Sequence, residues 1–223
     1  FCLCIDEHIA RTKHIITANE GNAIALAAGY YLAQQSLPLV YMQNSGLGNA
    51  VNPLLSLCDP DVYSIPMLLM IGWRGEPGVK DEPQHVKQGK IQLQLLDSMD
   101  IPYEIISKDD DKIEKKITNM VETAKNENRP TALLIRKGTF EKSNKDIGKF
   151  NEQLMTREEA LGIVLDSLGD NVILVSTTGK TSREIFEIRE NRDQSHNQDF
   201  LTVGSMGHCS SIALGISLSK HDR

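Results

Sequence analysis

Along most of this chain, short aliphatic runs give way, one after another, to segments with helical spacing. This alternation limits the fold more than any other feature. A run that is apolar on every residue needs cover on both of its faces, and intervening helices supply it, so the pattern predicts parallel strands with helices on both faces of the sheet. Strands are expected at His14–Ala18, Pro38–Met42, Pro66–Ile71 and Thr131–Ile135. Helices are expected at Glu20–Gln34, Lys90–Met99 and Asp109–Asn126. Composition agrees: 40% of residues are hydrophobic but only 5% aromatic, an aliphatic core that suits α/β layers better than an aromatic-rich β-sandwich.

The pattern lapses at residues 137–153, a polar, aperiodic stretch that reads as a linker. Residues 1–136 thus form one α/β domain, and a second α/β pattern starts at 154. Thr156 with Glu159, and Thr181 with Glu184, have the spacing of capping boxes. Strands are expected at Asn171–Ser176 and Phe200–Val203, and a helix at Gly207–Leu218. Two strands alone leave a parallel sheet's faces and edges open, so the 154–223 domain is expected to be incomplete and the chain to be a portion of a longer one. The formal net charge of -6 argues against nucleic acid as the main partner. Cys2, Cys4, Cys58 and Cys209 form no C-x-x-C pair and no zinc spacing, which fits free thiols in a reducing compartment and a cytoplasmic location. No apolar run has the length of a membrane helix. No signal peptide stands at the start, although the chain opens on Phe1 rather than methionine.

Five polar, mostly glycine-containing motifs each fall at an expected strand end, where open α/β sheets bind ligands. Glu20, in Thr17–Ala23, is a carboxylate at a strand-to-helix junction; on spacing alone a plain helix start, with Asn19 as N-cap and a dipole-favoured acid, accounts for it more readily than a catalytic role. Gln43–Asn49, with Asn44 and Ser45, is a loop whose amides can line a cleft, or a plain connection. Gly72–Gly78 and Asp81–His85 make a long loop in which Arg74, Lys80, His85 and nearby Lys87 offer cations to an anion, or a solvated surface. Ser176–Ser182 ends in Gly-Lys-Thr, but a phosphate-binding P-loop needs glycine where Leu174 stands, which excludes it. A helix N-terminus with Lys180 remains. In Val203–His208, Gly204 and Gly207 allow close backbone approach to a ligand, or simply a tight turn with Met206 as core filler.

Ala18–Ala23 with Ala27–Tyr30 resembles the pyrimidine-binding domain of the thiamine-diphosphate-dependent 2-oxo-acid decarboxylases. Gln43–Asn49, Gly72–Gly75, Asp81–His85, Thr178–Glu184 and Gly204–His208 extend the resemblance, in order, across nearly the whole chain, in particular to the branch that decarboxylates phosphonopyruvate. The resemblance implies a thiamine-diphosphate-binding fold and a carboxy-lyase of phosphonate biosynthesis. The expected reaction takes 3-phosphonopyruvate to phosphonoacetaldehyde and carbon dioxide. Sulfopyruvate is the alternative substrate, and a non-catalytic binding or regulatory remnant of the fold the alternative of another class. Glu20 is implied as the catalytic carboxylate that bonds N1′ of the cofactor's aminopyrimidine. Gly204 is implied as the carbonyl facing the 4′-amino group and Met206 as the support of the cofactor's bend, with Ser205 and Gly207 beside them. Asn44, Ser45, Arg74, His85, Lys180 and Arg183 are the implied substrate contacts. The resemblance also implies Mg2+, with ligands in a Gly-Asp-Gly motif and a later asparagine that lie outside this chain, and a homo-oligomer with its site between subunits. Cys209 departs from the family pattern, where a small residue such as alanine is usual.

Overall fold

The computed structural model describes residues 1–141, 154–169 and 171–220. The chain divides into two compact units, Phe1–Asn144 and Lys145–Arg223. Of the expected linker 137–153, residues 142–153 lie outside the described residues.

In the first unit, α1 (Cys2–His8) precedes α2 (Glu20–Gln34) and β1 (Leu39–Gln43). A 3₁₀ turn (Asn44–Gly46), α3 (Leu47–Pro53) and a π-helical turn (Leu54–Cys58) lead to β2 (Met67–Gly72). Then come α4 (Pro83–Ser98), β3 (Tyr103–Ile106), α5 (Ile113–Glu127) and β4 (Pro130–Ile135). The sheet is wholly parallel, in the order β1-β2-β4-β3. Alternation along each strand sends side chains to opposite faces. Val40, Met42, Met67, Leu69, Ile71, Ala132 and Leu134 meet Ile24, Ala27 and Ala28 of α2, Leu47 and Ala50 of α3 and Leu96 of α4. Leu68, Leu133, Ile135 and Ile106 turn the other way and meet Met120 of α5. On that second face Leu39 and Tyr41 of the edge strand stay exposed, and Phe1 stacks on Phe140 and packs at a tilt against Tyr41.

Several expectations need correction. His14–Ala18 forms no strand; Ile15 and Ile16 are exposed, because β-branched residues make a strand only where a ladder partner takes their backbone groups. α4 begins at Pro83 rather than Lys90, since proline suits the first helical turn, where its missing N–H costs nothing. β3 has no counterpart among the expected strands.

In the second unit, α6 (Arg157–Ser167), β5 (Leu174–Ser176), α7 (Lys180–Asn191), β6 (Asp199–Leu201) and α8 (Cys209–Ser219) follow. β5 and β6 pair in parallel, over a small core of Leu165, Ile185 and Ile188. The Thr156–Glu159 capping box forms as expected. The Thr181–Glu184 one does not: α7 starts at Lys180 behind Gly179, and Glu184 instead takes a bidentate bond from Arg157 at 2.5 Å. That pairing with a guanidinium holds the Glu184 carboxyl below its ordinary range. No helix among the described residues is long and apolar enough to cross a membrane.

Candidate active site

Glu20 is the first residue of α2, and the side chain of N-cap Asn19 accepts from the Asn22 amide at 2.9 Å. This fixes where the helix starts and therefore where Glu20 projects. The half-buried Glu20 reaches across to the turn that follows β1. A Cβ on Gly46 would lie 2.2 Å from both Cδ and Oε1 of Glu20, so the carboxylate occupies the space a side chain at position 46 would fill. The Asn49 side-chain amide donates to Oε2 at 2.9 Å. A Cβ on Gly21 would stand 2.9 Å from the Asn49 carbonyl oxygen, so this glycine lets the two helices approach closely.

The loop after β2 is held from several sides. Buried Asn44 accepts from the Arg74 amide at 3.0 Å and donates to the Arg74 carbonyl at 2.8 Å. The Trp73 indole donates to the Gly89 carbonyl at 3.0 Å. Asp81 takes the Arg74 guanidinium at 2.8 and 2.5 Å, and also accepts from the Gly75 and Glu82 amides. The hydrogen bond from Arg74, helped by the two amides and opposed by desolvation, holds the Asp81 carboxyl far below the usual carboxylate range. Arg136, just past β4, pairs with Glu76 at 2.9 Å. Gly75 (φ +65°) and Gly89 pack backbone to backbone: a Cβ on Gly89 would fall 1.9 Å from the Gly75 carbonyl oxygen.

Among the expected substrate contacts of this unit, Asn44 is committed to the Arg74 backbone and Arg74 to Asp81, though Arg74 keeps 37% of its side chain exposed. His85 carries a buried Nδ1 with no partner among the described residues. Ser45 is half-buried beside Gln43. Asn49 and Asp81 lie in flagged motifs, but neither is among the expected site residues. Asn49 closes the Gln43–Asn49 motif one helical turn beyond Gly46, and that spacing is the available signal. Asp81 opens the Asp81–His85 motif, but its partners come together only when the loop folds.

The second unit presents its residues at the carboxyl ends of β5 and β6. The Ser176 and Ser182 hydroxyls meet at 2.7 Å, Ser182 reaches the Thr177 and Thr202 carbonyls, and Thr202 returns a bond to the Ser176 carbonyl. This buried network fixes the turn from which Lys180 and Arg183 project, both exposed. Gly204–Gly207 form a tight turn with Ser205 at φ 55° and Gly207 at φ 89°. Met206 at its tip is 77% exposed, so it fills no core.

In the first unit, a tethered carboxylate seated over a glycine is placed to share a proton with a ring nitrogen. Among the described residues no group of three His, Cys, Asp or Glu side chains is placed to hold a metal.

Residues 4–100 match the family described as "Thiamine pyrophosphate enzyme, N-terminal TPP binding domain". Phosphonopyruvate decarboxylase of Streptomyces viridochromogenes is 34% identical over 93% of this chain and 54% of its own length. The protein of the same name from Streptomyces hygroscopicus is 33% identical over 93% of this chain and 53% of its own. Sulfopyruvate decarboxylase subunit alpha of Methanococcus maripaludis is 36% identical over 55% of this chain and 71% of its own. The chain thus spans about half the length of the phosphonopyruvate decarboxylases it matches.

Proposed function

This chain belongs to the thiamine pyrophosphate enzyme family, in the group of phosphonopyruvate and sulfopyruvate decarboxylases, and from that premise we propose that its protein converts 3-phosphonopyruvate to phosphonoacetaldehyde and carbon dioxide. The observation that carries the reading is the Glu20 carboxylate, seated over Gly46 and tethered by Asn49.

When bound, thiamine diphosphate supplies an electron sink for the pair released as the C1–C2 bond of a 2-oxo acid breaks. Glu20 would hold the pyrimidine by sharing a proton between its carboxylate and ring N1′, and a half-buried carboxylate couples to that proton more strongly than one in open water. The Gly204 carbonyl would accept from the 4′-amino group, and exposed Met206, between Ser205 and Gly207, would support the bend of the bound group. Magnesium enters the proposal as counter-ion of the diphosphate. Ser45, the Arg74 guanidinium and the His85 imidazole on the first unit, with Lys180 and Arg183 on the second, are proposed to receive the substrate's two acidic groups. Asn44 serves them by holding the Arg74 loop. The working protein is proposed to be a cytoplasmic homo-oligomer with its site between subunits.

Phosphonopyruvate is preferred over sulfopyruvate on likeness across both units: 34% and 33% identity over 93% of the chain, against 27% over 89% for the sulfopyruvate decarboxylase of Methanosarcina acetivorans. The second reading keeps one observation in its favour, the 36% identity to the Methanococcus subunit over 55% of the chain. The test incubates full-length protein with thiamine diphosphate, Mg2+ and each 2-oxo acid, and measures aldehyde. Higher kcat/KM on phosphonopyruvate, reduced at least about 100-fold by Glu20→Gln, is expected for loss of an acid–base group. Aldehyde from neither acid, or full activity in Glu20→Gln, would overturn the proposal; preference for sulfopyruvate would move it to the second reading.

A further inference from the structure

We infer that Asn49 is a positioning residue for Glu20: its side-chain amide engages Oε2 and leaves Oε1 as the oxygen offered to the pyrimidine. The inference rests on the proposed role of Glu20 and adds which residue sets its geometry.

Three observations converge. The Asn49 Nδ2–Oε2 distance is 2.9 Å, across 29 residues of sequence. A carboxylate is an acceptor only, so the Asn49 amide must turn its nitrogen toward it; the opposite orientation would set two oxygens face to face. Oε1 lies over Gly46, 2.2 Å from where a Cβ would stand, and has no hydrogen-bond partner among the described residues. A free glutamate side chain samples several rotamers. Here one oxygen is tied, the glycine clears a seat for the rest of the carboxylate, and the other oxygen is left uncommitted. The Gly21–Asn49 approach keeps the two helices close, so the tether does not depend on a long flexible arm.

This arrangement separates two ways in which Asn49 can matter. If Asn49 only stabilises the packing of α2 on α3, its loss weakens binding of any thiamine-like ligand equally. If it aims Glu20, its loss is felt only by a ligand that has a nitrogen at position 1′.

The experiment measures calorimetric Kd values, with Mg2+, for thiamine diphosphate and for its analogue with CH in place of N1′. It uses full-length wild type, Asn49→Ala, Asn49→Asp, Gly46→Ala and Glu20→Gln, and it needs no turnover. Wild type is expected to prefer thiamine diphosphate, and Glu20→Gln to erase most of that preference. Asn49→Ala should cut the preference about tenfold, as expected for loss of one hydrogen bond to a charged group. Asn49→Asp, of the same size but setting charge against charge, should cut it at least as far. Gly46→Ala should do the same by unseating the carboxylate, since the atoms it meets are the movable end of a side chain.

A preference that survives within about twofold in every Asn49 variant that folds, while Glu20→Gln erases it, overturns the inference and leaves the function standing. A preference that survives Glu20→Gln itself, or is absent in wild type, overturns the function, and this inference with it. If Asn49→Ala does not fold, Asn49→Asp and Gly46→Ala decide between the same two outcomes.

Discussion

Replacing Gly89 by alanine sets two effects against each other, and the structure decides the sign. In the middle of a helix alanine is favoured over glycine by about 1 kcal/mol. At Gly89, however, the new Cβ would lie 1.9 Å from the Gly75 carbonyl oxygen, 2.1 Å from its carbon and 2.4 Å from the Arg74 oxygen. These are backbone atoms, so no side chain can swing aside. The loop that carries them is fixed by Asn44, by Asp81 and by the Trp73 amide bonded to the Ile135 carbonyl. α4 must therefore yield, by roughly 1.5 Å if an ordinary carbon–oxygen contact is to be restored in a close-packed interior. That movement breaks the 3.0 Å bond from the Trp73 indole to the Gly89 carbonyl. Overpacking costs about 1–3 kcal/mol, and the lost hydrogen bond about 1 kcal/mol. After the helix-propensity gain the net loss is about 2 kcal/mol, a fall in Tm of about 6 °C for a unit of this size. Gly29 is the control. It lies inside α2 with nothing within 4 Å of its would-be Cβ, so Gly29→Ala is expected to raise Tm by about 2–3 °C. The assay is thermal melting together with emission from Trp73, the only tryptophan in these 223 residues; Gly89→Ala should shift that emission to the red. If Gly89→Ala melts as high as Gly29→Ala with unshifted emission, the close crossing of α4 and the loop is wrong.

Two further outcomes are expected. Because the folded-state pKa of Asp81 is depressed, its contribution to stability is present above its unfolded value of about 4 and is lost as pH falls through the folded value. Asp81→Asn should therefore cost about 1.5–3 kcal/mol at neutral pH, and the gap from wild type should close only in strong acid; a gap independent of pH down to acid unfolding would contradict the ion pair. Cys58 is fully buried, and burial pushes its thiol up to about 12. A thiol reagent at pH 8 should label exposed Cys2 and Cys4 at once and Cys58 only with unfolding; rapid labelling of Cys58 in the native protein would contradict the packing.

What can be read in advance follows from the range over which each signal acts. Glu20–Gln34 is legible to the residue, because Asn19 caps it and its Ala/Leu content sustains the helix. β2 and β4, buried on both faces, announce themselves as apolar runs. β3 does not: Tyr103-Glu104-Ile105-Ile106 is short and carries a charge, and it is a strand because β4 offers it a ladder. His14–Ala18 has the residue types of a strand and lacks the partner. Thr156–Glu159 and Thr181–Glu184 share one spacing, yet only the first caps a helix, since Arg157 draws Glu184 away. In the site the same division holds. Strand-end motifs point to Glu20, but its tether lies on the next helix and its seat is a glycine, so both appear only when α2 and α3 come together.

The Asn44 side chain bonds the Arg74 amide and carbonyl as another peptide group would, so the sheet is in effect continued past its last strand residues by a borrowed peptide. Such a joint needs one donor and one acceptor, and therefore its weak point is chemical rather than mechanical. Deamidation, which exchanges a single NH₂ for an oxygen, would set that oxygen against the Arg74 carbonyl oxygen while the other still accepts from the Arg74 amide. Ageing of the protein at that one atom would spare the core and unfasten the loop that carries Arg74.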